Sequence, residues 1–210
     1  MSRLGVIVLA AGRSTRYGSA AGHKLLARAG DAPVIRHTVL AAVNSGVGDI
    51  VVVTGAESAL VTRAVADLPV NVQHEPRYAE GMAVSLERGV EALRETTDAL
   101  LIALGDQPGM RPDAYRRVVS RWLETGASIV VPCYADSSTP AHPILFSAAV
   151  YDELLALRGD VGARAVVIRD PSRVAEAELP WPAPRDVDTQ DDLAGVIEEL
   201  SAEPNAERPR

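Results

Sequence analysis

Short, uninterrupted apolar runs alternate along the chain with longer segments in which apolar residues recur at helical spacing. The first run, residues 4–9, is rich in Val, Ile and Leu, which is typical of a strand buried on both faces of a parallel sheet. Comparable runs predict strands over residues 4–9, 50–53, 70–73, 99–104, 128–132, 143–146, 173–178 and 186–188.

Segments with apolar residues three and four positions apart lie between these strands. They predict helices over residues 33–43, 57–68, 82–93, 112–124, 147–157 and 189–201, with a weaker pattern over 162–169. Pro33 and Pro112 suit a first helical turn, and Gly126 suits a helix stop. Ser147 and Thr189 are predicted to cap the helices that follow them.

The alternation of strands and helices predicts an α/β fold with three layers. A mostly parallel sheet should lie between helices on both faces, in a Rossmann-like arrangement. Residues 1–201 are expected to form a single domain, since no internal repeat divides them. Residues 135–184 have shorter, less regular elements and are expected to cover the substrate. Residues 202–210 contain two prolines and alternating charges, which predicts a disordered tail.

Composition restricts the class of protein. Of the 210 residues, 47% are apolar and 23% are charged, so a packed core is expected, and the net charge is −7. That charge argues against a protein that coats nucleic acid, because such binding needs a basic surface. A single cysteine, Cys133, excludes an intramolecular disulfide and a Cys-rich zinc site. No run approaches the roughly 20 apolar residues of a membrane span, and no signal peptide is recognised, so a cytoplasmic protein is expected.

The segment after the first strand is a candidate phosphate-binding loop, because ligands of parallel sheets lie beyond the carboxyl ends of the strands. Small residues let backbone amides approach phosphate oxygens, and arginine and lysine add positive charge. The glycine spacing matches neither a Walker A loop nor G-x-G-x-x-G. A tight turn with surface arginines is the alternative interpretation. The loop begins with Leu9, Ala10, Ala11 and Gly12 and continues through two arginines, Arg13 and Arg16, to Lys24.

A second candidate lies where the fourth predicted strand ends, at Gly105-Asp106. A strand end holds a side chain rigidly at the edge of the sheet. Mg²⁺ takes one or two carboxylates together with phosphates and waters, so Asp106 is a candidate metal ligand. A turn-forming or helix-capping aspartate is the alternative. Gly81 precedes a predicted helix and could expose amides to an anion, with Ser85 one turn later, or it could be a simple cap.

The motifs together resemble one family. The stretches Leu-Ala-Ala-Gly-x-Ser-x-Arg-x-Gly followed by a lysine, Gly-Asp-Gln-Pro, and Gly-Met-x-x-Ser-Leu are similar to those of the molybdenum cofactor cytidylyltransferases, within the MobA-like NTP transferases. This chain departs from the family pattern in several places: Tyr17 replaces a usual Met, five residues separate Gly18 from Lys24 instead of two or three, Ala141 replaces a Gly, and Gln190 replaces a Pro.

The resemblance implies a Rossmann-like nucleotidyltransferase fold and transfer of CMP from CTP to the terminal phosphate of molybdopterin cofactor, with release of pyrophosphate. It implies Mg²⁺ on Asp106, with a second contact from Asp188, or from Asp186. Ala10, Ala11 and Gly12 would lie near the base and ribose. Arg16 and Lys24 would face the triphosphate, and Gly105 would lie at the nucleotide. His142 and Arg164 would border the pterin phosphate. The molybdoenzyme that receives the cofactor, or its chaperone, would be a partner; nucleic acid and membranes would not.

Several alternatives stay open. Guanylyl-transferring relatives usually have Leu-Ala-Gly-Gly in the first loop. The methyl group of Ala11 would narrow the space beside the base and favour a pyrimidine, but GTP or another phosphate acceptor is a rival hypothesis. An NAD(P)H oxidoreductase of the nicotine blue type, and a non-catalytic nucleotide sensor, are others. For Asp188, a structural role is the alternative, and for Asp191 and Asp192 helix-terminus electrostatics is preferred.

Overall fold

The protein is represented by a computed structural model that describes residues 2–18, 22–136 and 141–202. The predicted disordered tail therefore lies outside the described residues, apart from residue 202. The strands are β1 (Leu4–Ala10), β2 (Arg28–Ala29), β3 (Ala32–Pro33), β4 (Asp49–Thr54), β5 (Asn71–His74), β6 (Ala99–Leu104), β7 (Ile129–Tyr134), β8 (Ile144–Ser147) and β9 (Val174–Leu179).

The helices are α1 (Val34–Ser45), α2 (Ser58–Ala64), α3 (Met82–Leu93), α4 (Pro112–Thr125), α5 (Tyr151–Leu155), α6 (Arg164–Arg169) and α7 (Gln190–Ala202). Single 3₁₀ turns are formed by Lys24–Leu26, Tyr78–Glu80, Ala148–Val150 and Pro171–Arg173. None of the described helices is long and apolar enough to cross a membrane.

Seven strands form the central sheet in the order β5-β4-β1-β6-β8-β7-β9. The ladders β1/β4, β1/β6, β4/β5 and β7/β9 are parallel, and β8 runs antiparallel to both of its neighbours. The predicted mostly parallel sheet is therefore confirmed. Because the chain leaves β1 for β4 on one side and later returns to β6 on the other, the sheet has a switch point at the carboxyl end of β1, where α/β sheets bind ligands.

The side chains of β1 point alternately to the two faces of the sheet, and this explains the three layers. Val6 and Val8 pack on one face with α1, α2, α4 and α7, whereas Ile7 packs on the other face with α3, α5 and α6. All three side chains are fully buried, as expected for a strand between two helical layers. This rigid centre fixes the loops that follow β1 and β6.

Several local predictions were wrong. The predicted helix over 57–68 is only Ser58–Ala64, because residues 65–68 form tighter turns in which the Val65 amide donates to the Thr62 carbonyl and the Leu68 amide to the Val65 carbonyl. The Ser147 side chain makes no capping hydrogen bond, and the helix it was to begin is a 3₁₀ turn followed by the short α5. Residues 186–188 are not a strand. The hairpin β2–β3 was not predicted.

The Thr189 cap is confirmed. The Asp192 amide donates to Thr189 Oγ1 (3.2 Å), and the Thr189 amide donates to Asp192 Oδ2 (2.8 Å). This reciprocal pair is a capping box. It starts α7 directly after Asp188 and so holds that residue at the edge of the sheet.

Candidate active site

A cavity of about 550 Å³ opens at the carboxyl ends of β1 and β6. Its walls come from the loop after β1, the segment from Tyr78 to Ser85, the end of β6, and the segment before α7. The lining residues named by the sequence predictions are Leu9, Ala10, Ala11, Gly12, Arg16, Lys24, Gly81, Ser85, Asp106, Asp186 and Asp188. Residues more than 170 positions apart in the chain thus meet at the switch point of the sheet.

The loop after β1 is held in place mainly through its backbone. The Leu9 carbonyl accepts from the Gly105 amide (2.9 Å), and the Ala11 carbonyl accepts from the Ala56 amide (3.3 Å). His23 Nε2 donates to the Gly12 carbonyl (2.9 Å). With its carbonyls engaged by the protein, the loop keeps a defined course along one wall of the cavity.

Lys24 lies between two carboxylates at the floor of the cavity. Its Nζ donates to Asp106 Oδ2 (2.6 Å) and to Asp188 Oδ1 (2.8 Å), and its side chain is only 13% exposed. Burial would lower the pKa of Lys24, but the charges and hydrogen bonds of the two aspartates outweigh burial and raise it. The ammonium group is therefore charged throughout the physiological range.

Arg16 extends the same network towards solvent. Its guanidinium contacts Asp188 Oδ2 at 2.8 Å, and its side chain is 76% exposed. An ion pair this exposed contributes little to stability because water screens it. Arg16 can therefore exchange this carboxylate for a ligand phosphate at little cost.

Asp186 lies beside the network. Burial raises the pKa of its carboxyl; the hydrogen bond from Gln107 Nε2 (2.7 Å) opposes this, while the charges of Asp106 and Asp188 raise it further. The Val187 amide donates to the Asp106 carbonyl (2.9 Å), so the two acidic segments are tied together by their backbones.

These residues fit a divalent cation that is shared with a phosphate ligand. Asp106 and Asp188 converge on one positive group, and Asp106 Oδ1 is buried with no hydrogen-bond partner among the described residues. The described residues hold no cluster of three or more potential ligands, so phosphates and waters would have to complete the coordination. Two carboxylates plus phosphate oxygens is the donor set that Mg²⁺ takes in such sites.

Comparison with known families decides what kind of domain carries this cavity. Residues 6–174 match the family described as "MobA-like NTP transferase domain". The chain belongs to this family. The matched range includes the loop after β1 and Asp106, but it ends before Asp186 and Asp188.

Relatives of this MobA-like chain include the bifunctional protein GlmU of Rhizorhabdus wittichii, which is 33% identical over 126 residues, or 60% of this chain and 27% of GlmU. The chain spans about a quarter of the length of the GlmU relatives it matches. The molybdenum cofactor cytidylyltransferase of Escherichia coli is 26% identical over 148 residues, covering 70% of this chain and 71% of that protein.

Among solved structures, Rv0371c of Mycobacterium tuberculosis superimposes with a TM-score of 0.83 at 30% identity, covering 94% of this chain and 98% of that one. A complex of Rv0371c with manganese gives a TM-score of 0.79 at 29% identity, with coverage of 94% and 99%. The nucleotidyltransferase fold expected from the sequence is thus confirmed for this MobA-like domain.

Three predicted site residues do not line the cavity. Gly105 lies next to Asp106, where an added Cβ would be 2.9 Å from Ile35 Cδ1 and 3.0 Å from the Leu9 carbonyl oxygen, so its lack of a side chain permits packing beneath the cavity. His142 Nδ1 donates to the Ile102 carbonyl (3.0 Å), and burial lowers its pKa. Arg164 begins α6. Their roles in ligand binding stay predictions.

The N-terminus of α3 has fewer free backbone amides than the sequence predicts. The Ala83 amide donates to the Gly159 carbonyl (3.1 Å), so a distant loop takes one of the amides that was expected to face an anion. The same loop brings Asp160 into the lining, and Tyr78 and Glu80 join it from the preceding turn. Sequence reasoning missed Tyr78, for which the closeness to the Gly-Met motif was the only signal. Asp160 lies in the segment before Arg164 that the resemblance had placed at the border of the pocket, but it was not named as a site residue.

Replacing Gly81 with alanine should destabilise the MobA-like domain by about 2–3 kcal/mol, because a strained backbone and crowding add together. Gly81 has a φ of +129°, and an added Cβ would lie 2.3 Å from the backbone carbon of Gly159. Thermal unfolding measures the loss. Gly126→Ala is the matched control, since its φ is +63° and no atom lies within 4 Å of the added Cβ. Equal melting temperatures for the two variants would refute the crowding argument.

Proposed function

We propose that the protein is a nucleotidyltransferase that transfers CMP from CTP to the terminal phosphate of molybdopterin cofactor and releases pyrophosphate. The observation that carries the proposal is the Lys24 ammonium, bound by both Asp106 and Asp188 (2.6 and 2.8 Å) in the floor of a cavity at the switch point of the sheet. Membership of the MobA-like NTP transferase family supports the reaction class. The acceptor is supported by the name of the Escherichia coli relative.

The chemistry asks the protein chiefly for positioning and charge. An oxygen of the acceptor phosphate forms a bond to the α-phosphorus of CTP, and the bond from that phosphorus to the bridging oxygen breaks, leaving pyrophosphate with the electron pair. The attacking oxygen is already anionic, so no strong general base is needed. What remains is to hold two anions together and to stabilise charge on the leaving group.

The charged residues of the cavity can perform these tasks. In the proposal, Arg16 and Lys24 exchange their carboxylate partners for the β- and γ-phosphates of CTP. This exchange frees Asp106 and Asp188 to hold Mg²⁺, which when bound supplies further charge neutralisation at the phosphates. The loop over residues 9–12 faces the nucleoside, and Ala11 limits the space beside the base. His142 and Arg164 remain proposed contacts of the acceptor.

Pyrophosphate release tests the proposal. With Mg²⁺ present, CTP and molybdopterin cofactor together should release pyrophosphate, and the CMP adduct should be found by mass spectrometry. GTP should be at least about tenfold poorer, which corresponds to roughly 1.4 kcal/mol. A panel of sugar, polyol and lactyl phosphates tests the acceptor, and NADH oxidation with candidate dyes tests the oxidoreductase alternative. Faster turnover with another acceptor would overturn the molybdopterin assignment, and pyrophosphate from none would overturn the reaction class.

A further inference from the structure

The turn over residues 75–81, here called the Tyr78 turn, contributes a wall of the cavity on the other side of β1 from Asp106. It follows β5, whereas Asp106 follows β6, and β4 and β1 lie between these strands in the sheet. Strands are spaced about 4.8 Å apart, so the two walls start roughly 14 Å from each other. If the triphosphate lies at Lys24 and Asp106, as the proposed function requires, the base points towards the Tyr78 turn.

Tyr78 occupies the end of this wall. It is the one aromatic residue among the described residues that line the cavity. An added Cβ on Gly55 would lie 2.6 Å from both Cβ and Cγ of Tyr78, and 2.7 Å from the Ala11 carbonyl oxygen. Tyr78 therefore packs directly on the glycine backbone, which in turn abuts the nucleotide-facing loop. Ala11 and Tyr78 form one continuous surface with Gly55 between them.

A buried carboxylate anchors the turn from behind. Glu75 is only 3% exposed, and its Oε1 accepts from the Arg77 amide (2.8 Å) and from Arg77 Nε (3.2 Å). Burial would raise the pKa of Glu75, but the hydrogen bonds from Arg77 and the charge of Arg88 hold it below its usual value. The Glu75 side chain thus stays ionised and keeps its partners at neutral pH.

Backbone hydrogen bonds fix the start of the turn. The Glu75 amide donates to the Thr54 carbonyl at the end of β4 (2.8 Å), and the Tyr78 amide donates to the Glu75 carbonyl (3.2 Å). Arg77 also reaches Glu87 on α3 (3.2 Å). The turn that carries Tyr78 is therefore tied to a strand end through Glu75 and to α3 through Arg77.

We propose that Tyr78 is a specificity-determining residue that limits the size of the base, and that Glu75 is the positioning residue that holds Tyr78 in place. In this proposal a pyrimidine lies against the surface that Ala11 and Tyr78 form, whereas the larger purine meets the Tyr78 ring. This inference rests on the proposed function, because it places the phosphates at Lys24 and Asp106. The proposal adds Tyr78, which lies 67 positions from Ala11 in the chain, to the Ala11 methyl group as a second limit on the size of the base.

Calorimetric titration with CTP and GTP in the presence of Mg²⁺ tests this inference. Tyr78→Ala should weaken CTP binding, because an aromatic wall is lost, and should shift the CTP-to-GTP affinity ratio towards GTP by about tenfold or more. Tyr78→Phe should keep the wild-type ratio, and Tyr78→Trp should shift it further towards CTP. Glu75→Gln should move the ratio in the direction of Tyr78→Ala, whereas Glu91→Gln, an exposed residue on α3, should not.

The outcomes separate the two proposals. A wild-type protein that binds CTP, but whose ratio is unchanged in both Tyr78→Ala and Tyr78→Trp, overturns the size limit and leaves the proposed function standing. A wild-type protein that binds neither nucleotide overturns both. Because Tyr78→Trp only enlarges a half-buried side chain, it keeps the test decisive even where Tyr78→Ala lowers the melting temperature.

Discussion

Asp106→Asn should slow CMP transfer by at least about 100-fold at saturating CTP and Mg²⁺, while the protein stays folded. Asparagine keeps the size of the side chain but removes the charge that binds Lys24 (2.6 Å) and that would hold the metal ion. A metal contact of this kind supplies several kcal/mol of transition-state stabilisation, and each 1.4 kcal/mol corresponds to about tenfold in rate. The turnover number from pyrophosphate release measures the effect.

The stability cost of Asp106→Asn should be small. Lys24 retains Asp188 as a partner (2.8 Å), so no charge is left unpaired, and a loss near 1 kcal/mol would lower the melting temperature by about 2–4 °C. Asp191→Asn is the control, because Asp191 is an exposed residue in the first turn of α7 and should keep full activity. Near-normal transfer by Asp106→Asn would contradict the metal assignment.

Lys24→Met should reduce transfer by about 10²–10³-fold, and it should also change the site in the absence of nucleotide. The substitution removes a charged donor from the place where charge develops on the leaving group. It also leaves the Asp106 and Asp188 carboxylates, 19% and 28% exposed, without the cation between them. Mn²⁺ should therefore bind the variant more tightly than the wild type, by about tenfold, when no nucleotide is present.

Steady-state kinetics and Mn²⁺ titration measure these two effects separately. Lys24→Arg is the matched variant, because it keeps the positive charge. The guanidinium group is larger and planar, so it fits poorly in the space where the compact Lys24 ammonium now binds both carboxylates. This variant should recover part of the activity and keep Mn²⁺ affinity near that of the wild type. Unchanged Mn²⁺ affinity in Lys24→Met would show that lysine and metal do not compete for the same oxygens.

The choice of lysine at this position is itself informative. The chain has 21 Lys and Arg residues, and Lys24 is its single lysine. All other basic positions use arginine, whose planar fork suits surface pairing, whereas this one uses a compact point charge with three donors. Counting lysines was a signal available in the sequence that would have singled out Lys24 without any motif.

The central architecture could be predicted because it follows from local pattern. The apolar runs of β1 and β6 are buried on both faces, so their sequences carry no polar side chain, and Asp106 lies two residues after the end of β6. The sequence therefore predicted that the loop after β1 and Asp106 both lie at the carboxyl-end edge of the sheet. This is a consequence of parallel pairing between adjacent strands.

Other features could not be predicted because they depend on contacts between distant segments. The Ala83 amide donates to the carbonyl of Gly159, which lies 76 positions further along the chain. The sequence therefore overstates how many amides at the N-terminus of α3 are free to bind an anion. Tyr78 enters the cavity because Glu75 and Gly55 place it there, and no local periodicity encodes that arrangement. The failure of the Ser147 cap has the same origin, since the Ser147 amide donates to the Ser128 carbonyl just before β7 (2.9 Å) and the residue ends β8 instead.

A crystal structure of the protein with CTP and Mg²⁺ tests the central claim most directly. The account predicts that the triphosphate lies in the cavity beyond β1 and β6, with Arg16 and Lys24 on its phosphates, the cation on Asp106, and the base towards Tyr78. CTP bound elsewhere, or a triphosphate in the cavity with no cation at Asp106 and with Lys24 still joined to both aspartates, would contradict it.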